Sequence, residues 1–461
     1  MENIQMLLKQ GAVGKPCASI VAVGDKVKRG QLIATPTGLG ANVHSSVSGE
    51  VIDITEDRII IKPDDEQSKD YVKIPEEITD PLEMIKYAGI IGQGGAGFPT
   101  FIKIYNGKEN KPVLDHGYIL VNASECEPGL AHNIAQIDAD PETLLRGIHY
   151  LMDIAGADKG IIAIKKKHRE TIEKLDALLK DDPAIERHLL PDIYPMGEER
   201  AVVRECLGIE LEPSQLPSAA NAVVINSETV YSCAKAVEDR KPLIDKNITV
   251  RGMIKGGSEA HVFMDVPVGR SVQALIDEAG GFDERGYGEV IMGGSFTGKA
   301  TTLDAPITKA TGAILVTRPF RDLHGAKVGI LVCACGGNLE RMQDLVKKYN
   351  GTECHVCYCK QAAEMPNGTR KCERPGNCPG QVKNNLEFKK AGCEYIIIGN
   401  CSDCSNTVMA SGPKMGLKVM HMTDLAMMAV GHPLYRTLRV SKKVDQDLNV
   451  VDNPEDNETV E

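Results

Sequence analysis

The 461-residue chain is 42% hydrophobic with a mean hydropathy of −0.19, enough apolar material for about three or four packed domains and too much for global disorder. A net charge of −11, 4% aromatic residues and no Trp exclude a basic, base-stacking nucleic-acid surface. There is no apolar run of about 18 residues, and the opening MENIQMLLKQ lacks the order of a signal peptide, so a cytoplasmic protein without direct membrane insertion is expected.

Residues 16–63 read as short alternating strands punctuated by Gly-Asp and Pro-Thr-Gly, a small all-β unit assigned to 1–78. The phrase VGDKVKRGQLIA…VHSSVSGEV resembles a biotinyl/lipoyl-like barrel-sandwich hybrid. No lysine occupies the connecting stretch 36-PTGLGANVH-44, so an unmodified structural module is expected. From 79 to 240 apolar strands (HGYILVNAS, KGIIAIKKK) alternate with helical spacing (LRGIHYLMDIAG, HRETIEKLDALLK), the pattern of a parallel, Rossmann-like α/β sheet. Residues 241–324, with a helix starting near Ser271, read as a β-grasp unit. Residues 325–432 form a second α/β piece that holds ten of the fourteen cysteines within 72 residues. The remaining stretch, 433–461, ends in VDQDLNVVDNPEDNETVE with seven acidic and no basic residues, which predicts a disordered tail. The fold class is thus multidomain α/β.

Two stretches carry chemistry in the second unit. In 89-GIIGQGGAGFPTFIK-103, five glycines in nine residues leave room for a phosphate or a flat ring, and a helix after Pro99 aims amides at an anion. In 121-VNASECEPG-129, Asn122, Ser124, Glu125 and Glu127 follow a buried strand, where open α/β sheets bind ligands and two carboxylates suit ribose or ribityl hydroxyls. By contrast, 293-GGSFTGKAT-301 matches Walker A spacing but has Ala300 in place of the Mg²⁺-binding hydroxyl, so ATP is not expected there.

With 194-YPMGEERAVV-203 and 225-INSETV-230, these motifs resemble, in order, the flavin- and NADH-binding 51-kDa subunit of respiratory complex I and the RnfC component of Rnf complexes, over roughly residues 10–320. The resemblance implies FMN packed on Gly92, Gly94, Gly95 and Gly97, with Lys103 near its phosphate and Asn122 at the isoalloxazine or ribityl part. It implies Glu125 and Glu127 near the NADH ribose, Glu198 or Glu199 with Asn226 and Thr229 completing the flavin pocket, and Phe98 stacking on nicotinamide or adenine or lying in the core. Gln93 stands where complex I has Arg and Ser124 where it has Asp, so flavin contacts there depart from the pattern.

The cysteines depart further. Rnf-type subunits end in two C-x-x-C-x-x-C-x-x-x-C-P runs, which this chain lacks. Instead 328-VGILVCACGGN-338, 377-NCPGQ-381 and 396-IIIGNCSDC-404 resemble the cluster domain of heterodisulfide reductase A subunits. That implies a [4Fe–4S] cluster on Cys335, Cys378 and Cys401 with Cys404 or Cys333 as fourth ligand. Cys354, Cys357, Cys359 and Cys372 suit a second [4Fe–4S] cluster, while the pairs 354/357 and 401/404 also suit a zinc Cys₄ site or a thiol relay. The combination most resembles the electron-transfer proteins associated with proline reductase in amino-acid-fermenting anaerobes. It implies an NADH-oxidising flavin and iron–sulfur oxidoreductase serving a soluble partner reductase, proline reductase first. An Rnf-type peripheral subunit and a zinc-binding scaffold are the alternatives.

Overall fold

The computed structural model describes residues 2–335, 337–366, 368–399 and 402–432, together with 443–444 and 450–451. The expected acidic tail therefore falls almost wholly outside the described residues, as does Cys401. Of Cys404, only its place in a helix is described.

The N-terminal unit is built from β1 (Ile4–Leu7), β2 (Cys17–Ser19), β3 (Lys26–Val27), β4 (Leu32–Pro36), β5 (Val43–His44), β6 (Gly49–Ile54) and β7 (Arg58–Pro63). They form two facing sheets, ordered β1-β7-β6-β3 and β2-β4-β5. Period-two alternation puts Ile4, Met6, Val51, Ile59 and Ile61 inward against Ile33, Val43 and Val47. This is the expected barrel-sandwich.

The second unit contains α1 (Pro81–Tyr87), α2 (Thr100–Ile104), the hairpin β8 (Tyr105–Asn106) with β9 (Lys111–Pro112), β10 (Gly117–Ala123), α3 (His132–Ala139) and α4 (Pro141–Ala155). Then follow β11 (Ala157–Lys165), α5 (Arg169–Leu179), β12 (Ile185–Leu190), α6 (Glu199–Leu207), β13 (Ala222–Asn226) and α7 (Ser227–Glu238). The sheet is parallel, ordered β12-β11-β10-β13. Its strands are apolar on both faces because helices cover both. Ile119 and Val121 pack toward α4 and α7, while Leu120 packs toward Val202 and Val203 of α6. From β10 the chain moves one way to β11 and β12, and β13 then returns to the other side of β10. Strand order therefore reverses between β10 and β13, and Asn122 and Asn226 are paired in register at the carboxyl ends of those strands. In doubly wound sheets that crevice is where ligands bind.

The third unit has β14 (Asp245–Gly252), β15 (His261–Pro267), α8 (Val272–Glu278), β16 (Val290–Met292), β17 (Lys299–Thr301) and β18 (Ala313–Val316). They form a mixed sheet, β15-β14-β18-β16-β17, packed on α8 in the β-grasp manner. Ser271 caps α8 by accepting from the Ala274 amide. Lys309, fully buried in the loop before β18, donates from Nζ to the carbonyls of Asn42 (2.8 Å) and Gly89 (2.9 Å), while its amide donates to Gln10. One side chain thus touches all three units, and burial pulls its ammonium down to about 7.

The fourth unit is a parallel sheet, β20-β19-β23-β24, from β19 (Lys327–Val332), β20 (Thr352–Tyr358), β23 (Tyr395–Ile398) and β24 (Lys418–His421). A hairpin, β21 (Ala362–Glu364) and β22 (Arg370–Cys372), follows β20. α9 (Leu339–Lys348) packs one face, and α10 (Val382–Lys390) with α11 (Ser402–Ser411) the other. α12 (Asp424–Ala429) returns to the third unit, where Ala426 and Met427 meet Ile291 and Leu315. Among the described residues no helix is long and apolar enough to cross a membrane.

Candidate functional site: a glycine-roofed cleft beside a cysteine layer

The glycine stretch folds as a closed loop. The Gly92 amide donates to the Phe98 carbonyl at 2.9 Å, and Ile91 and Pro99 form an antiparallel bridge. Gln93 tethers the loop to α7: its amide reaches Thr229 Oγ1 (3.0 Å), and Nε2 donates to Ser232 Oγ (2.6 Å) and the Glu228 carbonyl (3.2 Å). Gln93 and Thr229 therefore hold the loop from behind. The glycines differ in purpose. A Cβ on Gly94 would lie 2.6 Å from Asn226 Nδ2, whereas one on Gly95 would meet nothing within 4 Å. Gly97 has a left-handed φ of +72° and packs on Gly11, where a Cβ would come within 2.7 Å of Cα. Its neighbour Ala96 accepts from the amides of Ala12 and Val13. The last glycine thus docks the N-terminal unit, while Gly94 and Gly95 open toward a cleft.

That cleft, about 660 Å³, runs from residues 7–12 past Gln93, Gly94 and Gly95 to the 293–301 turn and is floored by the ends of β10 and β13. Of the expected residues it brings together Gly94, Gly95, Asn122, Glu125, Glu127 and Asn226. Gly92, Gly97, Phe98, Lys103, Ser124, Glu198, Glu199 and Thr229 do not line it. Asn122 donates to the Gly197 carbonyl (2.8 Å) and accepts from the amide and hydroxyl of Ser124, so both sides of its amide are engaged. Ser124 is fully buried beneath Gly197, where only a small side chain fits. Glu198 caps α6, accepting from the amides of Arg200 and Ala201, and pairs with Arg200. Lys103 Nζ lies 3.7 Å from a Glu199 carboxylate oxygen, and burial lowers its ammonium. Phe98 is half-buried.

The two carboxylates of the ECE triplet point in different directions. Glu125, left-handed at φ +43°, is buried; it accepts from the Asn133 amide (2.9 Å) and lies 3.7 Å from His132 Nδ1. Burial pushes its carboxyl up to about 7. His132 Nε2 is in turn 3.9 Å from Glu228, which pairs with the buried Lys246. Glu127 reaches into the 294–298 turn. It accepts from the amides of Phe296 (2.8 Å) and Thr297 (2.9 Å) and from the Thr297 hydroxyl (2.7 Å). The Walker-like turn is therefore a nest of amides filled by the protein's own carboxylate. Glu127 lines the cleft, and both of its oxygens accept from that turn. The sequence motifs pass over the cleft residues Lys9 and Cys126, and Lys299 belongs to the Walker-like turn where ATP is not expected.

Cys126 joins the cleft to the cysteines. It lines the cleft and packs in one apolar cluster with Tyr194, Phe296, Cys333, Cys335, Cys359 and Cys378. Tyr194 stacks on Phe296 (3.7 Å between centroids, 4° between planes) and donates its hydroxyl to the Cys335 carbonyl at 2.9 Å. The sulfurs of Cys333 and Cys335 are 3.3 Å apart, and Gln381 Nε2 reaches both Cys359 (3.3 Å) and Cys378 (3.8 Å). Four thiols thus gather near the ends of β19 and β20.

The structure groups the seven described members of the expected metal-ligating set, Cys333, Cys335, Cys354, Cys357, Cys359, Cys372 and Cys378, differently from their order in sequence. The chain turns after β20, with the Cys359 amide on the Val332 carbonyl, and carries Cys359 to the strand-end layer. Cys354 and Cys357 stay within the sheet and pack with Cys393, which was not among those expected. Cys372, on β22, pairs with Ala362 across the hairpin.

The family model described as the Nuo51 FMN-binding domain matches residues 85–235, and the RnfC barrel sandwich hybrid domain matches residues 2–74. The cobalamin reductase PduS of Salmonella typhimurium is 37% identical over 234 residues, 51% of this chain and 49% of that protein. The RnfC-type component of the Na(+)-translocating ferredoxin:NAD(+) oxidoreductase complex of Acetobacterium woodii is 32% identical over 321 residues, 66% of this chain and 70% of that protein. Its proton-translocating counterpart in Clostridium ljungdahlii is 29% identical over 322 residues, 66% of this chain and 68% of that protein. The chain thus spans about half the length of the cobalamin reductase and more than two thirds of these two RnfC-type proteins.

Proposed function

The chain belongs to the RnfC family of ion-translocating ferredoxin:NAD(+) oxidoreductase complexes, and from that premise we propose that it oxidises NADH at an FMN in the glycine-roofed cleft and passes electrons to a cluster on the neighbouring cysteines. FMN, when bound, takes electrons from NADH as a pair and releases them singly, and an iron–sulfur cluster carries them one at a time. The residues fit both groups. A cleft of about 660 Å³ is of the size ligand sites have, and Gly94 and Gly95 offer it bare backbone. The four gathered thiols are soft donors of the kind such clusters use.

In this reading Gly94, Gly95 and Asn226 hold the flavin, and Asn122 fixes the floor by bridging β10 to the 194–198 turn. Lys9 and Lys299, the ammonium groups on the cleft lining, meet the phosphates of the dinucleotide. Glu125, with a carboxyl near neutrality on the cleft lining, would hold or release a proton there. Cys333, Cys335, Cys359 and Cys378 hold the cluster. The single observation that carries the reading is Cys126, which faces the cleft and the thiol layer at once.

The onward partner is a reductase or the remainder of an Rnf-type complex. The resemblance to proline-reductase-associated proteins favours that enzyme, and the length of the RnfC-type relatives matched favours an Rnf-type membrane complex at least as strongly. Protein purified without oxygen should contain flavin and iron and should bleach in the visible on adding NADH. A colourless protein that NADH leaves unchanged overturns the proposal. A pull-down from the native host separates the partners: proline reductase supports the first, integral membrane proteins of an Rnf complex the second.

A further inference from the structure

A second group of metal-binding residues lies on the α10 face of the fourth sheet and takes no part in the path above. β20 is the edge strand, and its register against β19 slips at Cys354: Val328 faces Glu353, while Gly329 faces His355. A bulge of this kind re-aims a side chain. Cys357, two residues past His355, shares its face. α10 crosses that face and brings Glu387, and the turn into β23 brings Cys393. A ring nitrogen of His355, Cys357 Sγ and a carboxylate oxygen of Glu387 all lie within 4.8 Å of one another, with Cys357 Sγ 3.4 Å from Glu387 Oε2. The buried Cys393 thiol adjoins those of Cys354 and Cys357. Phe388 flanks the group, its ring edge-on to His355 at 5.9 Å.

Hydrogen bonding alone accounts for Cys357 with Glu387. It does not account for an imidazole, a carboxylate and three thiols drawn together from a strand, a helix and a turn. Iron–sulfur clusters are held chiefly by cysteine, and among the described residues this face does not offer four thiols. Zinc takes sulfur, imidazole nitrogen and carboxylate oxygen alike, in fourfold coordination. We propose that this face binds one zinc ion through His355, Cys357 and Glu387, with water in the fourth position. Binding displaces the thiol proton of Cys357 to solvent. The ion pins the edge strand to α10. Because Cys359 follows β20 by one residue, it also steadies a thiol of the electron-carrying layer. The zinc reading stands independently of the flavin.

The test is metal analysis of the anaerobically purified full chain, followed by zinc titration against a chromophoric chelator. Wild type should hold about one zinc per chain. Cys357→Ser should release it, and Glu387→Gln should weaken it by at least the ~10–100-fold that loss of an outer-shell partner costs. Cys378→Ser should keep its zinc. A wild type that binds zinc no more tightly than Glu387→Gln overturns the proposal. So does a Cys357→Ser chain that loses iron while its zinc is unchanged. Glu387 is only half-buried on α10, so its variant keeps the test decisive if Cys357→Ser does not fold.

Discussion

Replacing Glu127 with Ala separates a structural from a substrate-binding role for the second carboxylate of the ECE triplet. Its four oxygen contacts are unequal. The Phe296 amide, on a residue 2% exposed, loses a charge-assisted bond of 2.8 Å. The amide and hydroxyl of Thr297 sit on an exposed residue and recover solvent bonds, and the Ser295 hydroxyl contact at 3.5 Å is marginal. One buried charged hydrogen bond is worth about 1.5–3 kcal/mol. Burial also raises the Glu127 carboxyl, so removing it recovers some desolvation. The net loss is about 2 kcal/mol, a shift of ~30-fold in the local opening equilibrium. Hydrogen exchange read by mass spectrometry on a peptide spanning 293–299 of the full chain should speed up by that factor, with Glu127→Gln intermediate. Unchanged exchange in that peptide together with weakened NADH binding would refute the assignment and return Glu127 to the nucleotide.

Two further outcomes follow from the same geometry. Glu125 titrates near 7 when folded against an ordinary 4.5, so its contribution to stability is complete below about 4.5 and is lost as pH rises to about 7. Thermal unfolding of wild type should therefore fall across that window by the equivalent of about 3 kcal/mol, and Glu125→Gln should flatten the slope; parallel profiles would sink the idea. Gly97→Ala forces a left-handed alanine against Gly11. It should lower the melting temperature by the equivalent of about 1–3 kcal/mol, a cost that Gly95→Ala, facing open space, should not share.

The glycine loop and the NASECEPG stretch were legible because side-chain-free backbone and clustered polar residues stand out in the sequence, and their order along the chain carries the family. Side-chain direction was not legible. Glu125 and Glu127 are two residues apart, yet a left-handed turn sends one to Asn133 and the other into the third unit. Thr229, Glu198 and Ser124 look like ligand contacts in sequence but hold the site from behind, because caps and close backbone packing use the same small polar residues that ligands attract. The cysteines show the limit of spacing most clearly. A bulge at Cys354 and a turn at Cys359 divide neighbours between two layers, and Cys393 joins from 36 positions beyond Cys357, a distance no motif spans.

Lys309 has a consequence for how this chain can be taken apart. The four sequence units suggest a string of modules separable at their borders. A buried amine whose acceptors are carbonyls at Asn42 and Gly89 makes the third unit a keystone of the first two. A fragment cut near 240 would expose those carbonyls together with the groove that Lys309 fills, so a stable flavin-binding body is expected to need the third unit as well as the first two. The fourth unit is tied in as well: Ala426 and Met427 of α12 cover Ile291 and Leu315, and Arg341 and Lys348 of α9 pair with Glu289, so a cut between Val316 and Lys327 uncovers an apolar face and strands a buried carboxylate.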